Sequence, residues 1–383
     1  MEKHLSNEEG REIKVYGGSR SFHVGDLPEG CLKCIEGAKI VLYTTGYCTV
    51  GCKYCTISDD RSKRNDVFVN ERAIDIKLDL LEQIAEESDS CIAEGAGITG
   101  GDPMEEPERT IYLIKQIRQH YGSDYHLHLY TSGVHILKDE SLVDQLFSAG
   151  LNELRFHPKE LTAKPIWELA ARTKSRFPQY SIGFEVPAIS EREDDLVELI
   201  KFADVSQLDF VNLNEFEFTP SNYPKLNDRG FISLLDNSAI RGSRETAETV
   251  MDRIKHDTTI TVHFCSSGSK DSIQLVQRYK RRASQIARKF DLITDEGELS
   301  YGQFILESEE DYHSLVEFLV DELELEEDEF EVRQLGSDFL IETYWELVED
   351  YTGEIREEIP KLIGQLISRH PIDDGPITWL EPV

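Results

Sequence analysis

The sequence predicts an α/β fold: a partial (β/α)6-type barrel followed by a small C-terminal α+β unit. Short apolar runs typical of strands alternate with amphipathic stretches typical of helices, and this alternation favours a mostly parallel sheet with crossover helices. The character of the chain changes after residue 265, where a basic segment and then a strongly acidic one follow. A chain of 383 residues is long enough for one large domain and a smaller one.

The predicted elements follow one another without an internal repeat. The strands are predicted at 39–44, 96–99, 126–130, 153–156, 181–186, 210–214 and 259–264. The helices between them are predicted at 75–87, 108–120, 140–149, 166–176, 194–203 and 244–255. In the first of these helices one broadly helical apolar face is formed by Ile76, Leu78, Leu80, Leu81 and Ile84.

This pattern divides the chain into three parts. They are an N-terminal extension at 1–37, a core barrel at 38–265, and a C-terminal part at 266–383 with a basic helix and an acidic α+β unit. Ligands in parallel α/β folds bind at the carboxyl ends of the strands, so we expect the functional site at that end of the core.

The composition is that of an acidic protein. The formal net charge is −33, so the chain should repel nucleic acid and anionic membranes unless basic residues gather locally. There is no run of about eighteen apolar residues, and the N-terminal stretch is polar and lacks an apolar signal region. We therefore expect a cytoplasmic protein with no membrane span.

The cysteines are clustered. Of the seven in the sequence, five lie close together at Cys31, Cys34, Cys48, Cys52 and Cys55. In a chain without an export signal, such clustering favours metal or redox chemistry over disulfides. Cys91 stands alone between a predicted helix and a predicted strand and is expected to be a core residue.

One cysteine motif decides the interpretation. Cys48, Cys52 and Cys55 have the spacing C-x3-C-x2-C and directly follow the predicted strand 39–44. Three thiolates this close can ligate three irons of a cubane cluster and leave the fourth iron free for an exogenous ligand. Gly51 suits a loop that must pass close to such a cluster. A structural zinc site is the alternative, but it normally needs four closed ligands.

This motif, with an aromatic residue just before its third cysteine, resembles the signature of radical S-adenosylmethionine (SAM) enzymes. A second segment agrees: Gly100, Gly101, Asp102 and Pro103 follow the next core strand and resemble the family's Gly-Gly-Glu-Pro segment, which contacts the amino group of SAM. Asp102 stands where the family usually has glutamate. The resemblance implies a [4Fe-4S] cluster on the three cysteines, which are then catalytic. It also implies reductive cleavage of SAM to a 5′-deoxyadenosyl radical, which abstracts hydrogen from a substrate.

The resemblance also suggests roles for other residues. Tyr54 is expected near the adenine of SAM, and a bulky residue at Gly100 or Gly101 is expected to weaken SAM binding while leaving the cluster intact. Polar residues at later strand ends are candidates to hold the ribose or the substrate, although each alone is more often a satisfied core or loop group. They are Thr131, Ser132, Arg155, His157, Glu185, Asn212, Asn214 and Glu215.

A finer resemblance extends over most of the chain. The Cys31–Cys34 pair, the segment at 212–215 and the segment at 263–267 resemble a mainly archaeal group of radical SAM proteins related to pyruvate formate-lyase activating enzyme. The resemblance implies an electron donor such as ferredoxin or flavodoxin. The substrate stays open among a protein site, a modified nucleoside and a small metabolite. A non-catalytic iron–sulfur or zinc module that binds RNA is the alternative, but it would not need the Gly100–Gly101 segment.

Two further features yield hypotheses. Cys31, Cys34, His263 and Cys265 together could hold structural zinc or an auxiliary iron–sulfur cluster, if the first and last strands of the barrel approach each other; otherwise these are ordinary buried thiols. The segment 270–289 carries seven basic residues, and its apolar residues are spaced as one face of a helix. It is either a solvated helix that pairs with the acidic tail or an anion site for phosphate or tRNA.

Overall fold

The computed structural model describes residues 11–15, 20–234, 237–372 and 375–383, which fall into two compact units. The first unit runs up to Asp89 and from Ala93 to Leu275, and the second comprises Ser90–Ile92 and Val276–Val383. Of the predicted N-terminal extension, residues 1–10 and 16–19 lie outside the described residues. The rest of the extension belongs to the first unit, which also continues past the predicted boundary at residue 265.

The first unit is built on an open sheet of eleven strands within the described ranges. These strands are β1 (Lys14–Val15), β2 (Phe22–Val24), β3 (Ile40–Tyr43), β4 (Val67–Val69), β5 (Arg72–Ile74), β6 (Gly95–Thr99), β7 (His126–Thr131), β8 (Glu153–Phe156), β9 (Ser181–Ala188), β10 (Phe210–Glu215) and β11 (Thr261–Cys265). Their order across the sheet is β1-β2-β11-β10-β9-β8-β7-β6-β3-β4-β5.

The strands predicted from the sequence form the parallel part of this sheet. Strand β3 pairs in parallel with β6, and β6 to β11 follow one another in parallel register. The two ends differ, because β2 pairs antiparallel with β11 and β4 pairs antiparallel with β3. The sheet therefore does not close among the described strands, which confirms a partial barrel.

Helices cover the parallel strands and bury the main apolar core between themselves and the sheet. The helices of this unit are α1 (Glu29–Ile35), α2 (Leu80–Ser90), α3 (Pro107–Tyr121), α4 (Val134–Lys138), α5 (Ser141–Ala149), α6 (Lys164–Arg176), α7 (Glu193–Val205), α8 (Tyr223–Asn227), α9 (Ser243–Ile254) and α10 (Ser267–Ser269), with a 3-10 turn at Pro103–Glu105 and a π-helical turn at Lys270–Leu275. Helix α5 ends before Gly150, whose positive φ of 109° lets its N–H bond back to the last turn. No helix among the residues described is long and apolar enough to cross a membrane.

Helix α2 begins later than its apolar pattern predicts. The side chain of Asp79 accepts hydrogen bonds from the N–H groups of Leu81 (2.8 Å) and Glu82 (3.3 Å), as an N-cap does. The helix therefore starts after Asp79, and the predicted start at residue 75 is wrong. Ile76 and Leu78, which were expected on its apolar face, are 52% and 64% exposed.

Helix α1 packs against the charged inner face of the sheet, which was not expected of an extension. The N–H of Gly30 lies 3.4 Å from Oε2 of Glu153. A Cβ at Gly30 would come within 2.7 Å of Nδ1 of His128 and 2.8 Å of Oε1 of Glu153, so a larger residue would have to displace these buried side chains. The helix thus carries Cys31 into contact with buried polar residues of the strands.

The second unit is an antiparallel sheet packed against helices. Its strands are β12 (Leu292–Ile293), β13 (Leu299–Leu306), β14 (Phe330–Leu335), β15 (Asp338–Thr343), β16 (Ile363–Arg369) and β17 (Ile377–Pro382), in the order β14-β15-β13-β16-β17 with β12 on β13. Its helices are α11 (Val276–Ile286), α12 (Glu309–Glu317) and α13 (Trp345–Glu358), with a π-helical turn at Phe318–Glu322. This arrangement confirms the predicted α+β character.

The end of the basic segment pairs with acidic residues of the same unit. Arg288 contacts Glu331 and Asp291 at 2.8 Å and also bonds Glu342. Lys289 lies 2.8 Å from a carboxylate oxygen of Glu326. These pairs favour the structural explanation of Arg288 and Lys289 over an anion site.

Candidate functional site

A cavity of about 660 Å³ opens at the carboxyl ends of the parallel strands. Its walls come from the ends of β3, β6, β7, β9 and β10 and from the loops that follow them. The cavity brings together much of what the sequence predicts, namely Cys48, Cys52, Tyr54, Cys55, Gly100, Gly101, Thr131, Ser132, His157, Asn214 and Glu215.

The cysteine loop connects β3 to β4 and is held at its base by backbone hydrogen bonds. The N–H of Gly46 bonds the carbonyl of Arg64 at 2.7 Å, and the N–H of Lys63 bonds the carbonyl of Gly46 at 2.9 Å. At the tip, Gly51 has a φ of +64°, a conformation that glycine adopts without strain. The loop thus presents Cys48, Cys52 and Cys55 to one cavity from a fixed base.

Burial acts on the pKa values of two of these thiols. Burial raises the pKa of Cys48, and it raises the pKa of Cys52 to about 11 despite a hydrogen bond from Tyr54. A ligand that binds thiolates must therefore compensate their desolvation, as iron and zinc do.

The glycine pair after β6 is the edge on which the cysteine loop docks. The N–H of Gly101 donates to the carbonyl of Thr45 at 2.7 Å, and the N–H of Asp102 donates to that of Tyr47 at 2.9 Å. A Cβ at Gly101 would overlap the carbonyl of Tyr47. A bulky residue at Gly101 would displace the loop that carries the cysteines, so the structure favours loss of the cluster over the expected loss of SAM binding alone.

Asp102 and Pro103 support the cavity instead of lining it. The buried carboxylate of Asp102 accepts hydrogen bonds from the N–H of Met104 (3.0 Å), the hydroxyl of Thr131 (2.8 Å) and the N–H of Ser132 (3.0 Å), and the Ser132 hydroxyl also donates to it. Asp102 thereby caps the turn that begins at Pro103 and ties the end of β6 to the end of β7. The aspartate side chain is shorter than the glutamate of the Gly-Gly-Glu-Pro segment that it resembles, and this length suits the cap.

Replacing Asp102 with alanine is expected to destabilise the fold by about 3 kcal/mol, because buried donors that now bond a carboxylate would lose their partner. The free energy of unfolding in urea would measure this. Asp102→Asn keeps the shape and part of the hydrogen bonding, so it should cost less. Equal stability of Asp102→Ala and the natural protein would show that the carboxylate does not hold these strand ends.

Tyr54 is fixed by His157. The hydroxyl of Tyr54 lies 3.1 Å from Nε2 of His157 and 2.9 Å from the carbonyl of Lys159. Burial lowers the pKa of His157, so its ring is neutral, and Nδ1 lies 2.7 Å from the carbonyl of Glu185. Nδ1–H therefore donates to Glu185, and Nε2 and the carbonyl of Lys159 are both acceptors for the single hydroxyl proton of Tyr54. This clamp fixes the Tyr54 ring beside the last two cysteines.

Arg155 and Glu185, predicted to bind cofactor, do not line the cavity. Arg155 is buried and lies between two carboxylates, with Nη1 2.7 Å from Oε2 of Glu185 and its other nitrogens on Glu153. Asn214 links this network to the cavity, because its Nδ2 lies 3.0 Å from Oε1 of Glu185. Arg155 and Glu185 therefore form a layer beneath the site.

Arg155→Met is expected to destabilise the fold by about 3–5 kcal/mol, since it leaves two buried carboxylates without their cation. The same change at Arg176, whose partner Asp144 is at the surface, should cost less than about 1 kcal/mol. Chemical denaturation of both variants tests the contrast. A cost at Arg155 no larger than at Arg176 would contradict the placement of Arg155.

The predicted second metal site is only partly assembled. The thiol of Cys31 accepts hydrogen bonds from Asn212 Nδ2 (3.3 Å) and Arg155 Nη2 (3.6 Å), and Nδ1 of His263 is buried without a partner. Across the residues that the structure describes, no three His, Cys, Asp or Glu side chains are placed to hold one metal ion. The described geometry therefore does not show a zinc site on Cys31, Cys34, His263 and Cys265, and that site stays a prediction.

Other residues of the cavity wall were missed by the sequence analysis. Tyr43, Tyr130 and Phe216 add aromatic surface, and Lys270 adds a cation that pairs with Glu217 at 3.1 Å. The three aromatic residues lie at or just beyond the end of a parallel strand, so strand position was the signal that could have identified them. Glu215 lines the cavity, but its carboxylate is occupied by the N–H and hydroxyl of Ser267, at 2.8 and 2.9 Å.

The donor set of this cavity fits an iron–sulfur cluster. Three thiols line it, with no fourth cysteine among the described lining residues. Thiolates are the usual ligands of such clusters, and three of them leave one iron free. Because a cluster spreads its ligands over several irons, these thiols need not meet around a single metal ion. The residues present thus fit a [4Fe-4S] cluster with an open iron.

Comparisons with known proteins agree with this site. Residues 42–182 match the family model of the Radical SAM superfamily. The chain is 32% identical over 358 residues to a Methanocaldococcus jannaschii protein named "Putative glycyl-radical enzyme activating enzyme MJ0021", covering 91% of each chain.

Solved structures give more distant matches. Streptococcus suis SuiB bound to SAM has 15% sequence identity and a TM-score of 0.42, covering 60% of this chain and 50% of SuiB. SuiB bound to its precursor peptide SuiA has 14% identity and a TM-score of 0.44, covering 67% and 53%. The chain thus spans about half the length of these structures, and they are too distant for a comparison of sites.

The matched family model begins within β3 and includes both the cysteine loop and the Gly100–Gly101 edge. The M. jannaschii relative extends the similarity over nearly the whole chain. A non-catalytic metal module is not favoured by these findings. The chain belongs to the radical SAM superfamily and is an enzyme that uses a [4Fe-4S] cluster and SAM to generate a radical.

Proposed function

We propose that this protein is an activating enzyme that places a radical on a glycyl residue of a protein substrate. In this proposal Cys48, Cys52 and Cys55 hold the cluster, and SAM binds in the cavity beside them. A small electron-transfer protein such as ferredoxin or flavodoxin supplies the electron. The observation that carries the proposal is the convergence of the three thiols and the Gly100–Gly101 edge on one cavity. The name of the M. jannaschii relative supports the choice of substrate.

The cluster and SAM together supply the 5′-deoxyadenosyl radical that abstracts the hydrogen atom. The chain's own residues orient SAM. The hydroxyl protons of Thr131 and Ser132 are committed to Asp102, and each oxygen also accepts a backbone N–H, at 3.2 and 3.3 Å. Toward a ligand these hydroxyls are therefore acceptors, which suits the amino group or the ribose hydroxyls of SAM.

The aromatic side chains of the cavity wall limit the access of water to the cavity. Tyr54 is clamped by His157, and its ring lies edge-on to Phe216 with centroids 6.2 Å apart. Burial raises the pKa values of Tyr54 and Tyr130, so both phenols stay neutral. We propose that these rings shield the radical from solvent.

Isotope transfer tests the choice of substrate. Candidate partner proteins would be prepared with deuterated glycine and incubated anaerobically with the reconstituted enzyme, SAM and dithionite. Deuterium in the 5′-deoxyadenosine product, seen by mass spectrometry, is the expected result. Cys48→Ala enzyme is the control. Deuterium transfer from a labelled nucleoside or small metabolite instead of glycine would contradict the protein substrate.

An auxiliary iron–sulfur cluster on Cys31, Cys34 and Cys265 stays a prediction. Cys34 contributes electrostatically to the raised pKa values of both Cys31 and Cys265, although burial is the main cause for each. With an auxiliary [4Fe-4S] cluster, the reconstituted protein should bind about eight irons, and a Cys31→Ser/Cys34→Ser variant about four. Iron and sulfide analysis measures this. A natural protein that saturates at about four irons would exclude the auxiliary cluster.

A further inference from the structure

Three exposed cations are anchored to the loop that carries the cysteines. Lys53 lies within the loop, and the backbone of Lys63 bonds the carbonyl of Gly46 at its base, at 2.9 Å. The ammonium of Lys159 lies 2.9 Å from the carbonyl of Val50 near its tip. We call Lys53, Lys63 and Lys159 the lysine rim.

The backbone fixes part of this rim. Lys63 has a φ of +60°, in the left-handed region that residues other than glycine rarely adopt. Such a conformation persists only where the surrounding structure imposes it, and here the hydrogen bonds between Gly46, Lys63 and Arg64 do so. The backbone of Lys63 is thus fixed, and its side chain, at the edge of the cavity, is exposed to solvent.

The cations of the rim are not neutralised by neighbours. Among the residues that the structure describes, none of the three lysines forms an ion pair. Tyr47 and Cys48 of the same loop are also exposed. The next turn carries exposed Asp59 and Asp60. The charges of Arg61 and Arg64 contribute to lowering the pKa of Asp60, after its hydrogen bonds to Ser58 and the backbone.

This local charge is unusual in so acidic a chain. The protein has 74 acidic and 41 basic residues, so its overall field repels an acidic partner. Cations without an ion-pair partner offset that field locally and can steer an acidic protein to the one loop that needs an electron.

We propose that the lysine rim is the docking surface for a small acidic electron-transfer protein that reduces the cluster. This inference rests on the proposed function, which requires that the cluster receive an electron. With a flavodoxin as donor, the anionic flavin hydroquinone loses one electron and becomes the neutral semiquinone without losing a proton. The cluster gains that electron and passes from the 2+ to the 1+ state.

The competing explanation is that the rim only offsets the negative charge of the thiolates. Lys159 is near enough to Cys52 to contribute to lowering its pKa, although burial raises it overall. The two explanations differ in their consequences. Compensation of thiolate charge would affect every reductant alike, whereas docking affects only a protein donor.

Charge reversal tests the proposal. The Lys53→Glu/Lys63→Glu/Lys159→Glu variant and a control with Lys115→Glu and Lys138→Glu, on the exposed faces of α3 and α4, would be reconstituted anaerobically. Stopped-flow absorbance would follow cluster reduction by flavodoxin hydroquinone and by dithionite. Calorimetry at low ionic strength would measure binding of oxidised flavodoxin, with and without the cluster.

We expect reversal of the rim to weaken flavodoxin binding and slow reduction by flavodoxin at least about tenfold at low salt, with the difference shrinking at high salt. Reduction by dithionite should change less than about twofold, and the control should match the natural protein. Flavodoxin binding and rates unchanged by rim reversal would overturn the proposal, as would equal slowing of both reductants. Failure of dithionite to reduce the natural protein would instead contradict the proposed function, while the binding measurement still decides the docking surface.

Discussion

Replacing Cys48, Cys52 or Cys55 with alanine is expected to abolish both the bound cluster and the formation of 5′-deoxyadenosine. All three thiols come from one loop and line one cavity, so the loss of any ligand exposes an iron that no other cysteine of the cavity can bind. Iron and sulfide analysis, together with the absorbance of the reconstituted protein, measures the cluster, and chromatography measures the nucleoside.

Cys91→Ala provides the matched control. Cys91 is a buried thiol that does not line the cavity, as expected of a core residue, so its replacement should retain iron and SAM cleavage. Retention of reductive SAM cleavage by the variant that lacks all three loop cysteines would contradict the assignment of the cluster.

Gly101→Val is expected to lose the cluster and SAM binding together. A side chain at Gly101 would overlap the carbonyl of Tyr47, and the loop cannot yield easily because the N–H of Asp102 bonds that same carbonyl. Overpacking of this kind typically costs about 1–3 kcal/mol, here concentrated at the base of the cysteine loop. Iron content after reconstitution and SAM affinity by calorimetry are the measurements.

Gly268→Ala is the control for this variant, because a Cβ at Gly268 would meet no atom within 4 Å. It should reconstitute and bind SAM as the natural protein does. If Gly101→Val kept its iron and lost only SAM, the glycine would be required for cofactor approach alone, as the sequence analysis expected.

The alternation of strands and helices made the core predictable, because each parallel strand is a buried apolar run between amphipathic stretches. The ends of the sheet were not predictable in this way. Strand β2 has only three residues, Phe22–Val24, and its partner β11 is more than two hundred residues away in sequence. Helix α1 was missed because it is short and faces buried polar groups, so it has no amphipathic pattern.

The cysteine motif located the cavity. Residue type alone could not show which polar side chains line the cavity and which lie beneath it. Glu153, Arg155 and His157 alternate along one strand and its continuation, so they share a face. Only the register shows that His157 reaches the cavity while Arg155 and Glu153 lie beneath it. For the same reason Asp102, which resembles a cofactor residue in sequence, proved to be the hydrogen-bond acceptor that joins two strand ends.

The central claim is that these three cysteines and this cavity support reductive cleavage of SAM. The most direct measurement is the yield of 5′-deoxyadenosine from the anaerobically reconstituted protein with SAM and dithionite, compared with the Cys48→Ala/Cys52→Ala/Cys55→Ala variant. The account predicts that the natural protein forms 5′-deoxyadenosine and methionine while the variant forms none above background. Absence of 5′-deoxyadenosine from a natural protein that has bound its full complement of iron and SAM would contradict it.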